Sequence, residues 1–201
     1  MEVGARAATR ERLLRAGAEL LHAQGYAATG VARICEVAEA RKGSFYHFWP
    51  SKSALMISVL DDAWAHHRRD VLDAAFVDRP LADGLERWGQ LLGDVYASQQ
   101  DGPAGRVLGC RFGRLAQEAP DDPALRAHVA ARLDAMADLV AHHVRVGVDR
   151  DELTSADPDA DGRVLVAHMQ GLALLAAARD EPGLLRRLGA DCRRLVGLVH
   201  R

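Results

Sequence analysis

The chain has 201 residues, enough for one large domain or for a small domain joined to a larger one. Nearly half of the residues are hydrophobic (49%) but only 5% are aromatic, a palette of alanine, leucine, arginine, aspartate and glycine that suits packed helices and argues against a sandwich or barrel. The formal net charge is −2, no run approaches the ~20 apolar residues that span a bilayer, and the start MEVGARAATRERLL lacks the apolar stretch of a secretory leader, so the expectation is a soluble cytoplasmic protein without a membrane association.

The net charge is an average over two unlike parts. Residues 1–53 hold eight basic and five acidic side chains, a balance of +3, whereas the remainder holds 18 basic and 23 acidic, a balance of −5. A basic segment on an acidic body suits contact with a polyanion at one end. Within it, Leu13, Leu14, Gly17, Ala18, Leu20 and Leu21 recur at spacings of three and four, which predicts an amphipathic helix over 9–24, stopped by Gly25. Two short segments, 31–38 and 42–48, are too short to stand alone and must pack on it. After Pro50, Ser51 is the expected N-cap of a long helix from Lys52 towards Phe76.

Beyond Phe76, proline and glycine at Pro80, Gly102-Pro103, Pro120 with Pro123, Pro158 and Pro182-Gly183 divide the chain into about five helical stretches. No stretch shows the alternation of a half-buried strand. The expected fold is all-α: an N-terminal three-helix domain over residues 1–53 with the layout of a helix-turn-helix, followed over 54–201 by a larger helical domain.

The residues of the first part sharpen that layout. Thr9-Arg10, Leu13-Leu14, Ala16, Leu20, Gly25-Tyr26, Thr29, Val31, Ile34, Ala38, Gly43, Phe45-Tyr46, Phe48, Ser51-Lys52 and Leu55 form a pattern that resembles the TetR family of regulators. The resemblance implies a ligand-responsive regulator, a repressor by family habit and not an enzyme, that binds a near-palindromic operator on double-stranded DNA as a homodimer. Three departures stand out: Gly30 replaces a usual Ser or Thr, Cys35 an Ala, and Glu39-Ala40-Arg41 a Gly-Val-Ser or Gly-Val-Thr turn. Glu39 is therefore expected to be strained if its φ is positive, and Arg41 replaces a capping hydroxyl.

On chemistry, Arg41 and Lys42 can donate to guanine O6 and N7 in a major groove, and Gly43 allows close approach to the duplex. Ser44, Tyr46, His47 and Lys52 can donate to phosphate oxygens. Lys42 and Lys52 are the two lysines of the chain, against 24 arginines. Phe45 and Phe48 are expected in the core.

The second part matches the family loosely, best at Gly109-Cys110, Leu115-Ala116 and Glu118. A small-molecule effector site is expected among Trp88, Cys110, Phe112, Met136, His143 and His168, each of which could equally be core. Arg106 and Arg111 could favour a Cys110 thiolate, making it an oxidant or electrophile sensor; the alternative is a buried, inert thiol. Two stripes, Leu184, Leu188, Cys192, Leu195 and Val199, and Val164, His168, Leu172 and Leu175, suggest dimerisation through the last two helices, or burial within one subunit.

Other signals point to plain structure. Asp157-Pro158-Asp159-Ala160-Asp161-Gly162 opens like a calcium loop, but His168 stands where the closing carboxylate belongs, so an acidic helix start is expected. Adjacent His66-His67 and His142-His143 cannot chelate as i and i+4 pairs do. The cysteines Cys35, Cys110 and Cys192 are scattered, without a metal or disulfide pattern, and no nucleotide or hydrolase motif occurs. No cofactor or metal is expected.

Overall fold

Runs of alanine and leucine at helical spacing, broken by proline and glycine, fold into helices throughout the computed structural model, which describes residues 2–102, 104–118 and 122–198. Pro103, Pro120 and Val199, used above as helix breaks and as a stripe residue, lie outside the described residues. The order is α1 (Glu2–Ala28), α2 (Val31–Val37), α3 (Lys42–Phe48), α4 (Lys52–His67), a π-helical stretch (Arg68–Asp73), α5 (Ala74–Phe76), α6 (Leu81–Gln100), α7 (Arg111–Gln117), α8 (Pro123–Asp149), α9 (Pro158–Arg179), a 3-10 turn (Pro182–Arg187) and α10 (Leu188–Leu195). No strand occurs among the described residues, as the sequence predicts. The chain forms two compact units, one reaching to Trp64 together with Arg114–Ala130, the other comprising Ala65–Gly113 and the chain from Ala131 onward.

In the first unit α1 begins earlier than the apolar spacing indicates, at Glu2 instead of Thr9, and its regular helix breaks at the non-helical Gly25, where the sequence expects the stop, with a short helical turn following to Ala28. Gly25 sits at φ 85°, ψ 174°, outside the left-handed helical cap conformation expected of it. The turn beyond is tied by Thr29, whose hydroxyl donates to the Gly25 carbonyl at 2.6 Å. Gly17 lets α4 approach, since a Cβ there would lie 2.9 Å from Leu55 Cδ2. Leu13, Ile34, Phe45, Leu55 and Met56 fill the core, so Phe45 is buried as expected and Phe48 half-buried. Ser51 caps α4 through the Ala54 N–H at 3.1 Å. The helix predicted to run to Phe76 does reach it, through a π-helical stretch and the short α5.

In the second unit α10 and the 3-10 turn lie against α6, where glycine makes room: a Cβ on Gly89 would be 3.0 Å from the Leu185 carbonyl, and one on Gly189 2.5 Å from Glu86 Cα. Gly162 does the same for α9 on α8, facing Ala137 and Ala141. Glu152 accepts the Leu81 N–H at 2.6 Å, satisfying one orphan donor at the start of α6. Asp157 caps α9 through the Ala160 N–H, with Pro158 in its first turn. The acidic stretch is thus the helix start that the sequence indicates.

Candidate functional site

The short helices α2 and α3 owe their position to side-chain ties. Arg12 of α1 donates Nε to the Ala38 carbonyl at 3.0 Å, fixing the end of α2. Trp49, just after α3, is buried and donates Nε1 to Ser58 at 2.9 Å, while the Arg10 guanidinium stacks over its ring at 5.3 Å. Between α2 and α3 Glu39 has φ 49°, the left-handed conformation that costs a residue with a side chain about 1–2 kcal/mol. Strain at this turn is therefore real. Arg41 is the N-cap of α3 and makes no capping hydrogen bond with its side chain.

That leaves the start of α3 outward-facing. Arg41, Lys42, Gly43, Tyr46 and His47 are exposed and Ser44 is half-buried, so six of the seven expected DNA contacts share one short segment. Tyr46, 55% exposed, meets buried Phe45 in an edge-to-face contact at 5.2 Å. Gly43 has an ordinary φ, and a Cβ there would meet nothing within 4 Å. Neither the backbone nor internal packing requires glycine there.

Lys52 differs from the other six. Its ammonium donates to the Tyr26 carbonyl at 2.9 Å and lies 3.9 Å from the Tyr26 ring centroid, and burial lowers its pKa. One of its three donors is thus spent on holding the turn after α1. The same turn is gripped by α7: Glu118 accepts the Tyr26 N–H at 2.6 Å, and Arg114 donates to the His22 carbonyl at 2.8 Å while pairing with Glu118 at 2.8 Å. Sequence spacing could not have linked residues 92 positions apart.

In the second unit the expected effector residues fall into two clusters. Trp88 and His143 meet through Phe76, which stacks on the His143 ring at 4.8 Å and tilts against Trp88 at 5.9 Å. Burial, then His142, lowers the His143 pKa, with Asp73 opposing. Trp88 is fully buried, and among the described residues its indole N–H has no hydrogen-bond partner. A buried donor left so costs about 1–3 kcal/mol.

The other cluster gathers around Cys110, which is half-buried. Gln170 donates to its sulfur at 3.3 Å, and buried Tyr96 lies beside it, its phenol held well above the ordinary pKa by burial and then by Cys110. Phe112 meets the ring of His67 edge-on at 6.3 Å. His67 is pulled down to about 4 by burial and by the Arg111 cation. Gly109, at φ 83°, turns the chain into this cluster, and Gln99 fixes it by accepting from Leu108 N–H at 2.7 Å and Gly109 N–H at 3.2 Å. Asp180 accepts the Val107 N–H at 2.7 Å. Tyr96, Gln99, Gln170 and Asp180 escape sequence reading, because no motif marks them.

Arg106 lowers the pKa of Asp180, after its hydrogen bonds to the Val107 N–H and Gln100, and Arg111 lowers that of His67, after burial. Met136 is fully buried. His168 turns to Asp191 of α10, at 3.3 Å, and joins neither cluster. The three cysteines are free thiols.

Of the two apolar stripes, Leu172, Leu188 and Cys192 are buried within the unit, while Val164, Leu175 and Leu195 are exposed at 48%, 45% and 50%. Leu174 is exposed as well, at 56%. The α10 stripe turned inward because Gly89 and Gly189 let it sit directly on α6. No described helix is long and apolar enough to cross a membrane.

Known proteins share both sequence and architecture with this chain. Residues 13–59 match the family described as bacterial regulatory proteins, tetR family, and residues 84–190 match the tetracyclin repressor-like C-terminal domain. The transcriptional regulator AcuR of Cereibacter sphaeroides is 32% identical over 178 residues, 86% of this chain and 78% of that protein. The HTH-type transcriptional repressor NemR of Escherichia coli is 39% identical over 62 residues, 30% of this chain and 31% of that protein. The crystal structure of a regulatory protein TetR from Rhodobacter sphaeroides superposes with TM-score 0.79 at 28% identity, covering 92% of this chain and 97% of that one. That of reduced E. coli NemR has TM-score 0.76 at 22% identity, covering 94% and 97%, and shares the fold. With a helix-turn-helix whose second helix is held outward and a larger helical part that matches the same family, this chain belongs to the TetR family of DNA-binding transcriptional regulators.

Proposed function

We propose that this regulator is a cytoplasmic, ligand-responsive repressor that binds a near-palindromic operator as a homodimer and leaves it when a small molecule binds. Residues 1–53 form the DNA-binding domain in this reading, and 54–201 the effector-binding and dimerisation domain, with neither cofactor nor metal. The observation that carries it is the unrequired glycine at the outward start of α3: Gly43, flanked by the exposed cations Arg41 and Lys42, has no internal reason to lack a side chain. A groove wall is the neighbour that would fill that space.

The effector reading rests on the orphan N–H of Trp88 in an aromatic surround. A ligand with an acceptor would recover the cost of that buried donor. The second cluster offers polar groups of its own in the Gln170 amide, Tyr96 hydroxyl and Cys110 sulfur. Cys110 acts here as a wall of a non-covalent site. Dimerisation is supported by the exposed face of α9, where Val164, Leu174 and Leu175 flank Gly171, whose Cβ would meet nothing within 4 Å. A glycine inside a helix costs about 1 kcal/mol against alanine, and close approach of a second helix offsets it. Leu195 of α10 is exposed as well.

Selection of genomic fragments by the purified protein tests the whole. A single discrete near-palindrome recovered by a species of twice the chain mass in light scattering is the expected result. Recovery of no discrete site, or a monomer at micromolar concentration, defeats the reading.

A further inference from the structure

The side chains expected at DNA run from Arg41 to Lys52, and the first turns of α1 reach them. Arg6 Nη2 lies 2.7 Å from His47 Nε2. A guanidinium has five N–H donors, no lone pair, and keeps its charge at any ordinary pH. The imidazole nitrogen it meets must therefore be the bare one. His47 is then neutral in this contact, accepts at Nε2, and carries its proton on Nδ1.

We infer that Arg6 is a positioning residue for DNA binding: it locks His47 of α3 in the Nδ1–H tautomer, making the free edge of the ring an obligate donor. This rests on the DNA-binding reading of α3. A free imidazole presents either a donor or an acceptor, and phosphate oxygens only accept. With Nε2 occupied by Arg6, the one polar group that the exposed ring still offers is N–H. The Phe48 ring, edge-on to His47 at 5.1 Å, limits the ring from another side. Arg6 keeps four further N–H groups and its charge beside the same spot, which adds to the attraction for phosphate. In free solution the Arg6–His47 bond is exposed, but its charged donor makes it strong enough to bias the ring between two tautomers of nearly equal energy. Against a duplex, which displaces water, it gains strength.

The tautomer can be read in the free protein, by long-range proton–nitrogen spectra of histidine-labelled chain at mildly alkaline pH, with His47→Gln to assign the signal. The expected result is a pyrrole-type Nδ1 and a pyridine-type Nε2 in the wild type, reversed in Arg6→Ala and kept in Arg6→Lys, which still donates. In parallel, affinity for a mixed-sequence duplex should fall about tenfold in Arg6→Ala, recover largely in Arg6→Lys, and fall far less when Arg6→Ala is made in a His47→Ala background. A pyrrole-type Nε2 in the wild type, or equal losses in both backgrounds, overturns the inference alone. Wild-type protein that ignores the duplex overturns the DNA-binding reading and this inference with it.

Discussion

Glu39 and Gly43 show how single residues near the recognition helix answer to different demands. Glu39 occupies a left-handed turn at φ 49° where its Cβ is a liability, so Glu39→Gly should stabilise the chain by about 0.5–1 kcal/mol, the relief of strain less the glycine entropy. Thermal unfolding would register the gain, and a lower melting temperature would contradict it. Gly43→Ala separates stability from function: it should raise helix stability by up to about 1 kcal/mol and weaken DNA binding. Unchanged affinity would mean that nothing approaches that face closely. His67 carries a pH signature. Its Nε2 is shut off from solvent and its folded pKa is pulled from the ordinary 6.5 to about 4. The unfolded chain then binds the proton more readily, so this contribution is complete above about 6.5 and is lost as pH falls towards 4. For a half-buried residue the loss should be on the order of 2–3 kcal/mol, and His67→Gln should flatten that slope in denaturant titrations. The sequence supplied the residue types here, and Glu39 even supplied its conditional strain. It could not supply the partners of His67, because burial is a property of the assembled helices.

At the scale of elements, periodicity and breakers were sufficient for most helix positions, including the long run from Lys52 to Phe76. They could not supply the distant partners that hold a helix end. Gly25 breaks the regular helix as it reads in the sequence, but the break is held by Glu118 and Thr29, which spacing does not link to it. Gly25→Ala should cost about 1–3 kcal/mol, since φ is 85° and the new Cβ would lie 2.5 Å from Glu118 Oε1; a melting temperature equal to the wild type would exclude that strain. The stripe on α10 reads as an interface because apolar spacing is the same whether the partner is α6 or a second subunit. Only the glycine contacts of α6 with α10 decide for the former. The exposed face of α9 remains for a partner, so Leu175→Glu, beside Gly171, should yield monomers in light scattering while leaving the helical spectrum intact. A persistent dimer would move the interface elsewhere.

For the molecule as a whole, the charge asymmetry of the sequence anticipated a nucleic-acid face at the N-terminal end, and α3 presents exposed cations there. Lys52 deserves a mixed expectation, because its bond to Tyr26 makes Lys52→Ala both a loss of charge and a loosened turn. Its effect should be uniform over DNA sequences. In the proposed ligand-responsive dimer, ligand and operator lower each other's affinity by one common factor, since each selects a different state. Whether α3 reads bases is decided by titrating wild type and Lys42→Ala against the selected operator and its single-base variants. The expected result is a preference relaxed at one base pair of each half-site, worth about 1–3 kcal/mol, with the other positions still discriminated. A Lys42→Ala protein that keeps both the affinity and the base preferences of the wild type would contradict it.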